Sequence, residues 1–269
     1  MSALTLRLRV PLSQRIDMSP FTPQGLAGKK RNELERTPLW LGNRQVDAAE
    51  LFSISGDGCD EIVIQSDSDR LDGIGAGMSG GSVRIEGNAG AYLGCGMRDG
   101  TIQLSGNAGH AAGCAMWGGR LSIDGNAGDF LGGAITGERQ GMRGGTILVK
   151  GDAGERAGDL MRRGTILIAG NAGDYCASRM VAGTIAVFGL CGRQAGLSMR
   201  RGTLLLTREP TSLPATFNDN GWHELAFLPL LTGSFQGHEG FPSLRERGSR
   251  VRRWLGDLRC GGMGEILTW

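Results

Sequence analysis

The feature that most constrains this chain is a repeat. From about residue 68 to residue 206 a phrase of the form G-N-A-G-x-x-L-G-x-G-M-x-x-G-T-I-x-I recurs. G-N-A-G, or a close variant, starts at Gly87, Gly106, Gly125, Gly151, Gly170 and Gly189. The starts are 19 residues apart except for one step of 26 between Gly125 and Gly151, and a degenerate copy from Ser68 adds a seventh unit in the same phase. A fixed period near 20 residues marks a solenoid, in which no unit buries its apolar face alone and stacking supplies the core.

Each unit holds one alternating pair: Val83/Ile85, Ile102/Leu104, Leu121/Ile123, Ile147/Val149, Ile166/Ile168, Ile185/Val187 and Leu204/Leu206. With polar or small residues between and around them, these pairs have the period of a strand with one face buried. A second apolar column is Ile74, Leu93, Ala112, Leu131, Ala157, Cys176 and Ala195, and a third is Met78, Met97, Met116, Met142, Met161, Met180 and Met199. Three inward columns per 19 residues, separated by glycine corners, give an all-β fold: a right-handed parallel β-helix of about seven coils, roughly 34 Å long at the usual strand spacing. Helical repeats are excluded, because no unit has a glycine-free run long enough for two helices. The methionine column is expected to be core filling rather than a soft-metal site. Asn88, Asn107, Asn126, Asp152 and Asn171 are expected to ladder along one corner.

Outside the array, residues 1–55 read as strands and extended segments that cap the solenoid, residues 56–206 as the solenoid, and residues 207–269 as a C-terminal arm. Leu4, Leu6, Leu8 and Val10 alternate as a strand that pairs with or caps the array, with further strands at 37–43 and 51–64. Residues 243–259 carry Leu244, Val251, Trp254, Leu255 and Leu258 at helix-like spacing among arginines. They are expected to form a short basic helix docked on the rod's end or on a neighbouring protein of the same assembly. The extra residues of the long repeat, Ala134–Gln140, project a loop that is either a neutral insertion or a contact loop.

Four observations bear on chemistry. The net charge of +2 does not suit a dedicated nucleic-acid binder. The three histidines (His110, His223, His238) have no metal-ligand spacing, and no nucleophile motif is present, so neither a metal site nor a catalytic residue is assigned. Six scattered cysteines, with no signal peptide or long apolar run, lead to the expectation of a reduced, cytoplasmic chain with no membrane contact; Cys95 and Cys114 occupy one position in adjacent coils, where a disulfide is geometrically conceivable, and are read instead as small-residue packing. The residue after each methionine is Ser79, Arg98, Trp117, Arg143, Arg162, Val181 or Arg200, which aligns Arg98, Arg143, Arg162 and Arg200 along one edge. That column is either a solvated edge or a docking strip for carboxylates, which guanidinium groups bind in a fork.

The stretch G-N-A-G-A-Y-L-G-C-G-M-R-D-G-T-I-Q-L-S-G (87–106) resembles the β-helical module at the C-terminal end of the large subunit of glutamate synthase. A free-standing chain of this length, with the insertion before G-M-R-G-G-T-I-L-V-K-G-D-A-G (141–154), is similar to the family of formylmethanofuran dehydrogenase C subunits, including their counterpart in the formyltransferase/hydrolase complex of methylotrophs. The resemblance covers roughly two-thirds of the chain. It implies a non-catalytic scaffold that works beside an amidohydrolase-like, metal-bearing subunit, a formyltransferase subunit and a further subunit. It implies no cofactor held by this chain alone; the complex would carry a furan-type formyl carrier with a polyglutamate tail, which Arg98, Arg143, Arg162 and Arg200 would contact. The complex would convert formyl-tetrahydromethanopterin to formate in formaldehyde oxidation. The alternatives are the C subunit of a molybdenum or tungsten formylmethanofuran dehydrogenase and an independent β-helix enzyme acting on a polymer.

Overall fold

The computed structural model describes residues 3–235, 238, 240–241, 244 and 247–269. A 13-stranded sheet runs through the molecule. Its central rungs are Gly58–Ser66, Ser79–Gly87, Asp99–Leu104, Arg120–Ile123, Arg143–Val149, Arg163–Ile168, Thr184–Val187 and Arg201–Leu206, each parallel to the next. The register follows the repeat: Ile62, Val83, Ile102, Leu121, Ile147, Ile166, Ile185 and Leu204 stand opposite one another in succession. A one-residue slip would turn each inward pair outward, so burial fixes the register.

Two further ladders stitch the coils together. Single-residue parallel bridges join Ala89, Ala108, Ala127, Ala153, Ala172 and Cys191. Backbone N–H groups of Arg98, Trp117, Arg143, Arg162, Val181 and Arg200 donate to the carbonyls of Met78, Met97, Met116, Met142, Met161 and Met180 in the preceding coil. All seven methionines of that column are fully buried, which bears out their reading as core. Each inward Leu, Ile or Met side chain contributes about 1.5–3 kcal/mol, so stacking outweighs the weak local propensity of these glycine-rich units.

The corner ladder is made differently from a stack of amides. Each side-chain oxygen accepts from the backbone N–H of the same position one coil on: Asn88 from Asn107, Asn107 from Asn126 and Asn126 from Asp152, each at 2.8 Å, then Asp152 from Asn171 at 2.6 Å and Asn171 from Leu190 at 2.8 Å. Glycine beside it is obligatory: a Cβ on Gly151 would lie 2.2 Å from the Asn126 Oδ1. A parallel ladder that the repeat pattern did not reveal uses Asp72, Asp129 and Asp174, which accept from Ala91, Glu155 and Arg193.

Both ends are covered. Ala3–Leu8 lies parallel to Gly58–Ser66 and continues the inward column with Leu4 and Leu6, as expected for a strand that pairs with the array. Phe52–Ser55 closes that edge in antiparallel pairing. A small four-stranded sheet (Arg44–Asp47, Pro38–Leu41, Ile16–Asp17, Leu71–Asp72) and three helical turns pack Phe21, Leu26, Leu34 and Leu51 against the first coils.

At the other end the basic helix expected over 243–259 is corrected. Residues 243, 245 and 246 lie outside the described residues, but Arg250–Gly256 is a strand. It pairs antiparallel with Met263–Thr268, which itself continues the parallel ladder after Arg201–Leu206. Ile266 and Trp254 thereby cap the column that Leu204 would have left open, and that tertiary pairing overrides the helix-like spacing, already weakened by Gly256.

The outward face of the sheet differs from coil to coil. In the rungs Ser79–Gly87, Asp99–Leu104 and Arg120–Ile123 the middle residue is Arg84, Gln103 or Ser122, and none of these is buried; in the four that follow it is Leu148, Leu167, Ala186 or Leu205, all buried. The arm lies over this second group, and Leu228, Phe235, Leu244, Val251 and Leu267 complete a separate outer core. The described residues contain no helix long and apolar enough to cross a membrane.

Candidate binding edge

The column that follows the methionines is set by the coil geometry. Each Met points in and its carbonyl accepts from the next coil, so the following side chain faces out at the same edge every coil. The structure aligns Arg98, Arg143, Arg162 and Arg200 as the repeat predicts, with Trp117 between the first two and Val181 between the last two.

The edge carries two clefts, each holding one of these interruptions. One, of about 510 Å³, is lined by Arg98, Trp117 and Arg143 together with Gln24 and, from the insertion, Ile135 and Glu138. The other, of about 500 Å³, is flanked by Arg162, Arg163, Arg200 and Arg201 over a floor of Val181 and Ala182, with Met263 and Cys260 of the arm at its side. Arg98, Arg162 and Arg200 are exposed, and each is without an ion pair to any described residue, whereas Arg143 is half-buried. Its guanidinium stands 4.2 Å from the centre of the Trp117 ring and 3.6 Å from the Glu138 carboxylate. Paired arginines with free N–H groups over small apolar residues make a surface for carboxylates, because a guanidinium matches a carboxylate's two oxygens.

Neighbouring corners hold polar contacts that spacing alone did not reveal. The Cys114 thiol donates to the Cys95 sulfur at 2.7 Å, and neither cysteine is in a disulfide. That contact holds the Cys95 pKa below the usual thiol value and, with burial, pushes Cys114 far up. Asp159, buried, accepts from Ser178 Oγ at 2.6 Å and from the Arg179 guanidinium. Tyr92, His110 and Phe130 stack along another corner with ring centres 6.1 and 5.3 Å apart, and Arg156 lies over Tyr175 at 4.7 Å. Burial, with Arg120 nearby, lowers the His238 pKa in a separate cleft beneath the arm. No group of three or more potential metal ligands occurs among the described residues.

The model of the GXGXG motif family matches residues 72–223, more than half of the chain. The chain belongs to the GXGXG family. Two curated relatives are C subunits. One is that of the formyltransferase/hydrolase complex of Methylorubrum extorquens, 43% identical over 89 residues, which are 33% of this chain and 34% of the relative. The other is that of molybdenum-containing formylmethanofuran dehydrogenase 1 of Methanosarcina barkeri, 35% identical over 84 residues, 29% of this chain and 28% of the relative. The matched stretches therefore span about a third of each curated relative. A crystal structure of the formyltransferase/hydrolase complex FhcABCD of Methylorubrum extorquens with methylofuran contains a chain that superimposes on this GXGXG protein far more fully. Its TM-score is 0.92 at 43% identity, over 98% of both chains.

Proposed function

We propose that this GXGXG chain is the scaffold subunit of a formyltransferase/hydrolase complex. The observation that carries this reading is the match along 98% of both chains, at 43% identity, to a component of a complex crystallised with methylofuran. Its partners would be an amidohydrolase-like subunit bearing the metal, a formyltransferase subunit and a further subunit. Together they transfer the formyl group from formyl-tetrahydromethanopterin to the amine of a furan-type carrier and hydrolyse the resulting formamide to formate, in the cytoplasm. This chain supplies no catalytic group to either step. Higher identity to the hydrolase-complex relative than to the one from the molybdenum enzyme, 43% against 35%, favours this assembly over the dehydrogenase.

In this reading the stacked ladders close into a right-handed parallel β-helix, with residues 1–55 as cap, 56–206 as rod and 207–269 as the arm. Arg98, Arg143, Arg162 and Arg200 are the path of the carrier's polyglutamate tail. Their shared edge, and the guanidinium groups of Arg98, Arg162 and Arg200 that have no ion pair to any described residue, support that role. The test is affinity capture of the tagged chain from its own cells, with native mass spectrometry of the intact assembly. Recovery with an amidohydrolase-like chain and a formyltransferase is the expected result. A molybdenum- or tungsten-bearing partner would move the chain to the dehydrogenase, and a lone chain turning over a polymer would overturn both assignments.

A further inference from the structure

The half-buried arginine of the edge is poised in an unusual way. The Arg143 Nε is buried and has no acceptor. Its Nη2 lies 3.6 Å from the Glu138 carboxylate, beyond hydrogen-bond length. The guanidinium thus lies over the Trp117 ring while its Nε has no acceptor and its Nη2 has only the loose Glu138 contact. A buried donor without an acceptor is costly, and native structures avoid it unless something else supplies the acceptor. Nothing else in the edge is arranged in this way: Arg98, Arg162 and Arg200 face water.

The residue nearest that fork belongs to the insertion. Ile135 and Glu138 line the same cleft as Arg98 and Trp117, and the ladder closes again behind the loop, where Met142 N–H donates to the Gly132 carbonyl. Glu138 is half exposed and touches Arg143 only loosely, so a better-placed carboxylate can take its place at small cost. Two guanidinium groups against one carboxylate leave the cleft with one net positive charge. That balance suits a single side-chain carboxylate better than a multiply charged phosphate.

We infer that Arg143 is a carboxylate anchor covered by the 134–140 loop, with Glu138 as an internal stand-in that an acidic chain must displace. The ligand class is an extended run of glutamyl carboxylates, and the inference rests on reading the arginine column as the path of the carrier's tail. Displacement of Glu138 frees Nη2, and with the already unanswered Nε it can make a forked contact beside the Trp117 ring. Arg98, two coils away, is then placed for the next carboxylate.

The test is binding of fluorescein-labelled hexaglutamate to the assembled complex by anisotropy, with labelled hexaglutamine as the neutral control. Glu138→Gln removes the stand-in's charge at an exposed site and should tighten binding about threefold to fivefold, the range set by a weak surface ion pair. Arg143→Lys keeps the charge but loses the fork and the stacking, and should weaken binding about tenfold. The double variant Arg162→Gln, Arg200→Gln reports on the path itself. Hexaglutamate binding that weakens in the double variant yet is unchanged by Glu138→Gln would overturn the stand-in while leaving the path intact. Hexaglutamate that binds no better than hexaglutamine to the wild-type complex would overturn the path and the anchor together.

Discussion

Leu167→Gln separates the two cores of this molecule. Leu167 sits at the centre of the outer core, fully buried between the sheet and the arm, while its neighbours Ile166 and Ile168 point inward. Loss of its burial costs about 2–3 kcal/mol, and a carboxamide trapped there without partners costs about 1–3 kcal/mol more. With the arm still docked the total is roughly 3–6 kcal/mol. The chain can avoid most of the second cost by releasing the arm, which hydrates the new amide. The parallel sheet should tolerate this, because Ile102-Gln103-Leu104 already has the substituted pattern in an earlier rung, with Gln103 exposed and the strand intact. Hydrogen exchange read by mass spectrometry should therefore show lost protection over 225–235 and 250–256, with 101–104 and 121–123 unchanged. Equal loss of protection in the early rungs and over 225–235 and 250–256 would refute the argument, since it would make the two cores one cooperative unit.

The corner ladder gives a second outcome: Asn126→Ala leaves the Asp152 N–H without its acceptor and should lower the unfolding free energy by about 1–2 kcal/mol in urea, whereas Asn126→Asp should cost little, as Asp152 serves Asn171 in the same way. At the capped end, Arg259 and the backbone N–H groups of Arg259 and Ser198 hold the Asp257 carboxyl below the usual carboxylate range. Its stabilisation is therefore complete above the unfolded value of about pH 4 and is lost as pH falls below it. Asp257→Asn should lower the melting temperature at neutral pH and flatten its acid limb in a calorimetric pH series. In native alkylation by iodoacetamide, peptide mass spectrometry should find Cys95 modified before its buried neighbour Cys114. Cys176, whose pKa the Cys191 contact and burial raise, should be modified only on unfolding.

The inward columns were legible because a parallel ladder of repeated strands repeats its constraints. Each rung must present a side chain of similar size at the same place, so the period of the sequence is the period of the structure, and Met78 to Met199 could be assigned to the core from recurrence alone. The arm was not legible for the opposite reason. Arg250–Gly256 gains its partners from Met263–Thr268 and Asn218–Glu224, contacts that no local pattern encodes, and Val251, Trp254 and Leu255 happen to fall at helical intervals. A signal for the arm's resting place was nevertheless present. From the second rung on, the outward residue changes from Arg84, Gln103 and Ser122 to Leu148, Leu167, Ala186 and Leu205, and a solvent-facing column has no reason to turn apolar unless something covers it.

The candidate edge divides along the same line. Arg98, Arg143, Arg162 and Arg200 share a repeat position, and the sequence places them on one edge with no knowledge of side-chain conformation. What distinguishes Arg143 from the others comes from the one place where the repeat is broken. The insertion brings Glu138 and Ile135 over an arginine that would otherwise stand in water, and Trp117 replaces the arginine that the column's rhythm would put beside it. A regular coil can present a row of equivalent charges but cannot make one of them different. Selectivity along such a row has to be built from departures, and here the extra loop and the substituted aromatic meet at the same guanidinium.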